Sequence, residues 1–193
     1  GLGVLSLSGG NSFSGEIQVA EGALQATSST GFGTGAGAAQ LKIATTTDTR
    51  SVGAVAGVEF QPLVSGISYS NSMTFGSANA RGVSTVTTNL NVPSLTGAIT
   101  LDRPGGANVL LRTASGVSLS LTGQIQGTGG LTITGGGSVT MSNTANSYGA
   151  FAGTSGTAVN GATVVRNGTL LVPANGVLAG GVLELGDATF TGG

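Results

Sequence analysis

Cysteine, histidine and tryptophan are absent from this 193-residue sequence. Without thiolate or imidazole groups, the chain lacks the usual protein ligands of zinc, copper and iron. The same absence excludes Ser-His-Asp and Cys-His catalysis. A chain without cysteine fits an exported protein that uses no disulfides, and it also fits a cytosolic one. The sequence therefore predicts no cofactor, no metal site and no catalytic residue, and hence a protein that is not an enzyme.

Charge is scarce as well, since six cations and seven acids leave a net charge of −1. The cations are spread along the chain and form no basic patch, so nucleic-acid binding is not expected. No apolar run approaches the roughly 20 residues of a membrane-spanning helix, which predicts no transmembrane segment in this chain. The cations are Lys42, Arg50, Arg81, Arg103, Arg112 and Arg166.

The two ends of the sequence read as positions within a longer chain or a processed one. It starts at Gly1 without an initiator Met or a signal-peptide pattern, and it stops at Gly193 within what reads as a turn. We therefore expect residues 1–193 to form a single β-structured segment, either a piece of a longer exported chain or a processed mature subunit.

Small residues are abundant, with 37 Gly, 21 Ser and 26 Thr. Such a composition approaches that of disordered low-complexity chains. Disorder also requires low hydrophobicity, whereas this chain is 39% hydrophobic and has a positive mean hydropathy of +0.34. The composition therefore favours a packed chain.

Apolar residues recur with a period of two, as where Val117, Leu119 and Leu121 alternate with Ser118 and Ser120. Such alternation is typical of half-buried β-strands. Similar strand patterns occur at Val4–Leu7, Leu131–Ile133, Val139–Met141 and Leu183–Leu185, and glycine clusters that suit tight turns bound many of them. The best helical candidate, Ala36–Ile43, is weakened by Gly35 and Gly37. The sequence predicts an all-β fold.

Two stretches share an internal pattern. In residues 3–26 and 137–172, a strand leads to Asn-Ser-aromatic and then to an apolar strand residue, a turn glycine and a leucine strand. In the second stretch, residues 149–159 read as an inserted loop. The paired positions are Asn11-Ser12-Phe13 with Asn146-Ser147-Tyr148, Val19 with Val165, Gly22 with Gly168, and Leu24 with Leu170.

This pattern, carried by residues 1–26 and 121–172, resembles the autotransporter-associated β-strand repeat of bacterial secreted and surface proteins. The resemblance implies a right-handed parallel β-helix, a solenoid with Gly-rich turns, that forms part of an exported passenger. At about 20–25 residues per coil the chain makes about eight or nine coils, a rod roughly 40 Å long. The alternative is a β-sandwich, whose short strands look similar in sequence.

Some parallel β-helix enzymes act on polysaccharides, and glycoside hydrolysis requires two carboxylates on opposite sides of one bond. Glu16 with Glu21 and Glu184 with Asp187 are the acids close in sequence. Alternation points Glu184 outward, and Glu21 lies beside a turn glycine, so we expect neither pair to be catalytic. The acids are Glu16, Glu21, Asp48, Glu59, Asp102, Glu184 and Asp187.

Other polar motifs are interpreted as surface features. Residues 102–106 (Asp-Arg-Pro-Gly-Gly) are predicted to form an exposed turn. Asp48 and Arg50 are predicted to form a surface ion pair. Asn167-Gly168-Thr169 is predicted to form a turn. No phosphate-binding loop or calcium-binding nonapeptide occurs. The threonines of 45–47 and 86–88 repeat at no fixed spacing, which disfavours an ice-binding array. The eight Phe and Tyr residues are expected to fill the core and the corners.

Three functions follow as hypotheses. The first is a non-enzymatic extracellular module, a stalk or passenger segment at the bacterial cell surface that contacts adjoining repeats and mediates adhesion to host or cell-surface components. The second is a self-assembling subunit of an extracellular filament, since a near-neutral chain repels its copies little and uncapped solenoid ends expose strand edges. The third, a polysaccharide-acting enzyme, rests on fold analogy alone.

Overall fold

The fold is taken from a computed structural model, which describes residues 3–12, 14–20, 22–33, 40–43, 56–60, 66–76, 84–88, 93–102, 108–149, 161–175, 177–179 and 182–186. For 56–60 and 84–88 the description covers the backbone alone. Within these ranges the regular structure consists of short strands and contains no helix, which confirms the all-β prediction. In chain order the strands are β1 (Val4–Leu7), β2 (Ile17–Val19), β3 (Gly22–Ala26), β4 (Leu41–Ile43), β5 (Ala56–Phe60), β6 (Ser68–Tyr69), β7 (Met73–Phe75), β8 (Ser84–Thr88), β9 (Ser94–Leu95), β10 (Ile99–Leu101), β11 (Val109–Thr113), β12 (Ser118–Leu121), β13 (Ile125–Gly127), β14 (Leu131–Thr134), β15 (Ser138–Met141), β16 (Ser147–Tyr148), β17 (Thr163–Val165), β18 (Thr169–Leu171) and β19 (Leu183–Leu185).

The strands form three sheets. Sheet A has eight strands in the order β1-β3-β5-β8-β11-β14-β17-β19, sheet B has six in the order β16-β13-β10-β7-β4-β2, and sheet C has five in the order β18-β15-β12-β9-β6. Pairing between these strands is parallel throughout the described residues. A sandwich of the immunoglobulin type is built from antiparallel sheets, so this pairing does not favour the alternative fold.

Consecutive strands lie in different sheets. From β5 to β18 the chain visits sheets A, C and B in turn, whereas β1 to β4 alternate between sheets A and B. Neighbours within a sheet are therefore distant in sequence. Side-chain hydrogen bonds join residues 19 positions apart at Ser28 and Gly9 and 27 apart at Thr96 and Tyr69.

The core lies between the three sheets and is built from the apolar half of each alternating strand. Leu119 and Leu121 are buried while Ser118 and Ser120 between them are only partly buried. The register places Leu119 beside Val139 and Leu121 beside Met141, so apolar side chains stack in rows from strand to strand. Other buried members of these rows are Leu24, Leu41, Ile43, Met73, Phe75, Leu95, Ile99, Leu101, Val109, Leu111, Ile125, Leu131 and Ile133.

The predicted turn glycines adopt the backbone conformation for which glycine is needed. Gly22 has φ of 79° and Gly168 has φ of 123°, both in the region that L side chains disfavour. At Gly168 a Cβ would also lie 2.6 Å from the carbonyl oxygen of Gly137. The positive φ predicted for both glycines is confirmed. Gly168 lies between β17 and β18, whereas Gly22 is the first residue of β3.

The paired positions of the internal pattern do not coincide in the structure. Val19 lies in sheet B and Val165 in sheet A, while Leu24 lies in sheet A and Leu170 in sheet C. The pattern therefore repeats a succession of strand, glycine turn and strand, rather than a position in the sheets. The weak helical candidate of the sequence, Ala36–Ile43, ends in strand β4 at Leu41–Ile43, in agreement with the all-β prediction. Residues 36–39 and the proposed loop beyond Gly149 lie outside the described residues.

Candidate functional surfaces

Glu16 belongs to a small surface network with Lys42 and Gln18. Its Oε2 lies 2.6 Å from Lys42 Nζ, and Gln18 Nε2 donates a hydrogen bond of 2.6 Å to its Oε1. The hydrogen bond from Lys42, followed by that from Gln18, lowers the pKa of the Glu16 carboxyl. Glu16 is therefore held ionised, which does not suit a general acid.

Two of the described acids, Glu16 and Asp102, lie far apart. Glu16 precedes β2 and Asp102 follows β10, and two strands of sheet B separate β2 from β10. Three strand spacings correspond to about 14 Å, more than the roughly 5–9.5 Å between the carboxyl groups of a glycosidase. Glu184 lies in sheet A. No cluster of three or more possible metal-ligating side chains occurs in the part of the chain that the structure describes.

Several polar predictions lie outside the described residues, namely those on Glu21, Asp48, Arg50, Asp187 and residues 103–107. For Glu59 the structure describes the backbone alone. Asp102 is exposed, and Asn167 and Gly168 are exposed between β17 and β18. These three residues are placed as the sequence predicted.

Aromatic side chains fill the core, as predicted, at each position where the structure describes them. Phe32 and Tyr69 are fully buried, with ring centroids 6.1 Å apart and planes tilted by 44°. Burial raises the pKa of Tyr69 to about 12. Tyr148 is buried, and its hydroxyl lies 2.7 Å from Thr163 Oγ1. Phe75 is also buried, whereas the side chains of Phe13, Phe60, Phe151 and Phe190 lie outside the description.

The outward face of sheet C carries rows of hydroxyl groups that the sequence analysis missed. The register places Ser68 beside Ser94 and Ser94 beside Ser120, and Ser120 pairs in turn with Thr140. Seryl and threonyl residues at 70, 96, 122 and 142 follow these strands and are exposed. The available signal was the recurrence of a Ser/Thr pair two residues apart at 68, 94 and 120, a spacing of 26 residues.

Exposed apolar side chains mark the two outermost strands of sheet A. On β1, Val4 is 56% exposed and Leu5 is 60% exposed. On β19, Leu183 is 51% and Leu185 is 75% exposed, and the preceding Val182 is 51% exposed. The apolar core side chains on the inner strands of the sheets are buried, whereas these side chains are exposed to solvent.

Comparisons of the chain with models of protein families, with curated proteins and with solved structures find no match. The resemblance to the autotransporter-associated repeat therefore stays a prediction. Among the described residues, no helix is both long enough and apolar enough to cross a membrane.

Proposed function

We propose that this chain is a non-enzymatic structural module, a right-handed parallel β-helix that serves as a stalk or passenger segment of a bacterial surface protein. The observation that carries the proposal is the path of the chain through three parallel sheets, visited in the order A, C and B around a shared apolar core.

The β-helix is supported by the length and number of the repeating units. Paired strands within a sheet are offset by 19 residues, as at Leu5 and Leu24, to 34 residues, as at Gly22 and Ala56. This range includes the about 20–25 residues expected per coil. Sheet A has eight strands, in line with about eight or nine coils. Right-handed winding follows from the strong preference of parallel crossover connections.

The structural role is supported by the side-chain inventory of the whole sequence. It contains no Cys and no His. In the described part of the chain, no group of three or more possible metal-ligating side chains occurs. The extracellular location, and adhesion to host or cell-surface components, rest on the resemblance to the surface-protein repeat.

A self-assembling filament subunit is the second candidate, and one observation favours it. The outermost strands of sheet A expose apolar side chains that include Leu5 and Leu185. Open strand edges with apolar side chains favour the addition of another chain. A net charge of −1 opposes such addition weakly.

Negative-stain electron microscopy of the purified chain over a concentration series, with light scattering on the same samples, tests both candidates. A stalk segment gives short rods of constant width and constant mass. A filament subunit gives particles of the same width whose length increases with concentration. Irregular or spherical particles without a common width would contradict the β-helix itself.

A further inference from the structure

The two edge strands of sheet A carry the same side-chain pattern. Val4-Leu5-Ser6-Leu7 forms β1, and Val182 precedes Leu183-Glu184-Leu185 of β19. Each reads Val, Leu, polar, Leu. Five of these side chains are more than half exposed, namely Val4, Leu5, Val182, Leu183 and Leu185.

The leucines of both strands face the interior, where a further strand would cover them. Leu5 pairs with the buried Leu24, and Leu183 pairs with the buried Thr163. Since neighbouring residues in register share a face, Leu5 and Leu183 continue the inward rows. Their exposure arises because no described strand lies beyond them in sheet A.

Backbone groups at the two edges are complementary. On β1, the carbonyl groups of Gly3 and Leu7 accept hydrogen bonds from β3 and the chain that follows it. Alternation then turns the groups of Val4 and Ser6 toward the open edge.

On β19, Val182 O accepts from Thr163 N, and the following Gly186 N donates to Val165 O. The groups of Leu183 and Leu185 therefore face the open edge. All strands of the sheet run parallel, so the two edges present matching donors and acceptors in the same direction.

We infer that β19 of one copy pairs in parallel with β1 of a second copy, so that sheet A continues from molecule to molecule. The register places Leu183 beside Leu5 and Leu185 beside Leu7 on the inward face. On the outward face it places Val182 beside Val4 and Glu184 beside Ser6. This inference rests on the proposed structural role and specifies the partner as a second copy.

Side-chain chemistry selects this register over its neighbours. A shift of one residue would turn the leucines of one strand against the outward side chains of the other. A shift of two residues would place Val182 beside Ser6 or Glu184 beside Val4, and would leave one leucine on each strand uncovered. The selected register brings no two like charges together, because the only charged member is Glu184.

Cysteine cross-linking tests the pairing without background, because the chain contains no cysteine. The single variants Ser6→Cys and Glu184→Cys are mixed, oxidised mildly and separated on non-reducing gels. Adjacent parallel strands lie about 4.8 Å apart, within the Cα distance that a disulfide spans. The matched control mixes Val4→Cys, in place of Ser6→Cys, with Glu184→Cys. Residue 4 also faces outward but lies two residues out of register with Glu184, which places the two Cα atoms about 8 Å apart.

We expect the in-register mixture to give about fivefold more mixed disulfide than the control mixture, since bridging is limited to Cα atoms within about 7 Å. The double variant Ser6→Cys/Glu184→Cys should form a ladder of oligomers, because the eight-stranded sheet separates the two positions within one molecule by about 34 Å. Equal yields from the two mixtures, or no cross-linking in either, would overturn the pairing.

Micrographs of the same samples before oxidation separate the two proposals. Rods of constant width that fail to cross-link in register would leave the structural role in place and reject the pairing of β19 with β1. Particles that are not rods would reject the β-helix together with the pairing.

Discussion

Two buried threonines of sheet A differ in what their hydroxyl groups contact. Thr163 Oγ1 lies 2.7 Å from the hydroxyl of Tyr148, so these two buried groups satisfy each other. Thr113 is fully buried, and its Oγ1 has no hydrogen-bond partner among the described residues. A buried hydroxyl without a partner loses its hydration and gains nothing in return. The two residues therefore have opposite effects on stability.

Replacing each threonine with valine measures that difference, because valine conserves the shape and removes the hydroxyl. We expect Thr113→Val to raise the free energy of unfolding by about 1 kcal/mol and Thr163→Val to lower it by about 1–2 kcal/mol, since the latter leaves Tyr148 unpaired. Urea denaturation monitored by circular dichroism gives both values. Equal destabilisation by the two substitutions would contradict this assignment.

The raised pKa of Tyr69 predicts how the stability of the folded chain changes at alkaline pH. Burial raises its pKa from 10.0 to about 12, so the folded state disfavours the ionised phenol. The contribution of Tyr69 to the free energy of unfolding is therefore fully present below pH 10.0, the pKa of tyrosine in the unfolded chain. It is lost as the pH rises toward about 12. We expect the stability of the wild-type chain to fall more steeply over this interval than that of Tyr69→Phe. Parallel curves for the two proteins would contradict the prediction.

At the scale of the elements, the turn between β17 and β18 depends on Gly168. Its φ of 123° is strained for any L side chain, and a Cβ would lie 2.6 Å from Gly137 O. We expect Gly168→Val to lower the free energy of unfolding by about 3 kcal/mol. Gly15→Val is the control, because no neighbouring atom lies within 4 Å of its Cβ position and its φ is not in the positive region. A similar loss in both variants would show that the turn is not the cause.

The sequence predicted which face a residue occupies better than which strand it pairs with. Alternation identified Leu119 and Leu121 as buried, because period two directly reports the two faces of a strand. Partners depend on the length of the intervening turns, which alternation does not encode. Val19 and Val165 therefore looked equivalent and yet lie in different sheets. The hydroxyl rows of sheet C left one signal in the sequence, the Ser/Thr pair that recurs at 68, 94 and 120, and only the register shows that these residues form a row.

At the scale of the whole molecule, the described residues form an apolar core between the three sheets, and core-facing side chains of the two outermost strands of sheet A are exposed. Leu121 is 1% exposed in the middle of sheet C, whereas Leu5 and Leu185 are 60% and 75% exposed on the outermost strands of sheet A. Burying such side chains contributes about 25 cal/mol per Å² of apolar surface. Of the seven large apolar side chains that are exposed in the described residues, five lie at these two edges, and the others are Leu171 and Val172 at the edge of sheet C. The free energy available for association is therefore largest at the edges of sheet A.

Leu185→Lys tests that distribution. Because Leu185 is 75% exposed, we expect the substitution to change the stability of the single chain by less than about 0.5 kcal/mol. In an assembly it would bury an unpaired ammonium group beside Leu7 of the next copy, which is strongly unfavourable. The increase of light scattering with concentration should therefore disappear. Leu171→Lys is the control, since Leu171 is 50% exposed and pairs with the outward Thr140. If both variants associate like the wild-type chain, contacts other than the inward leucines of sheet A hold the copies together.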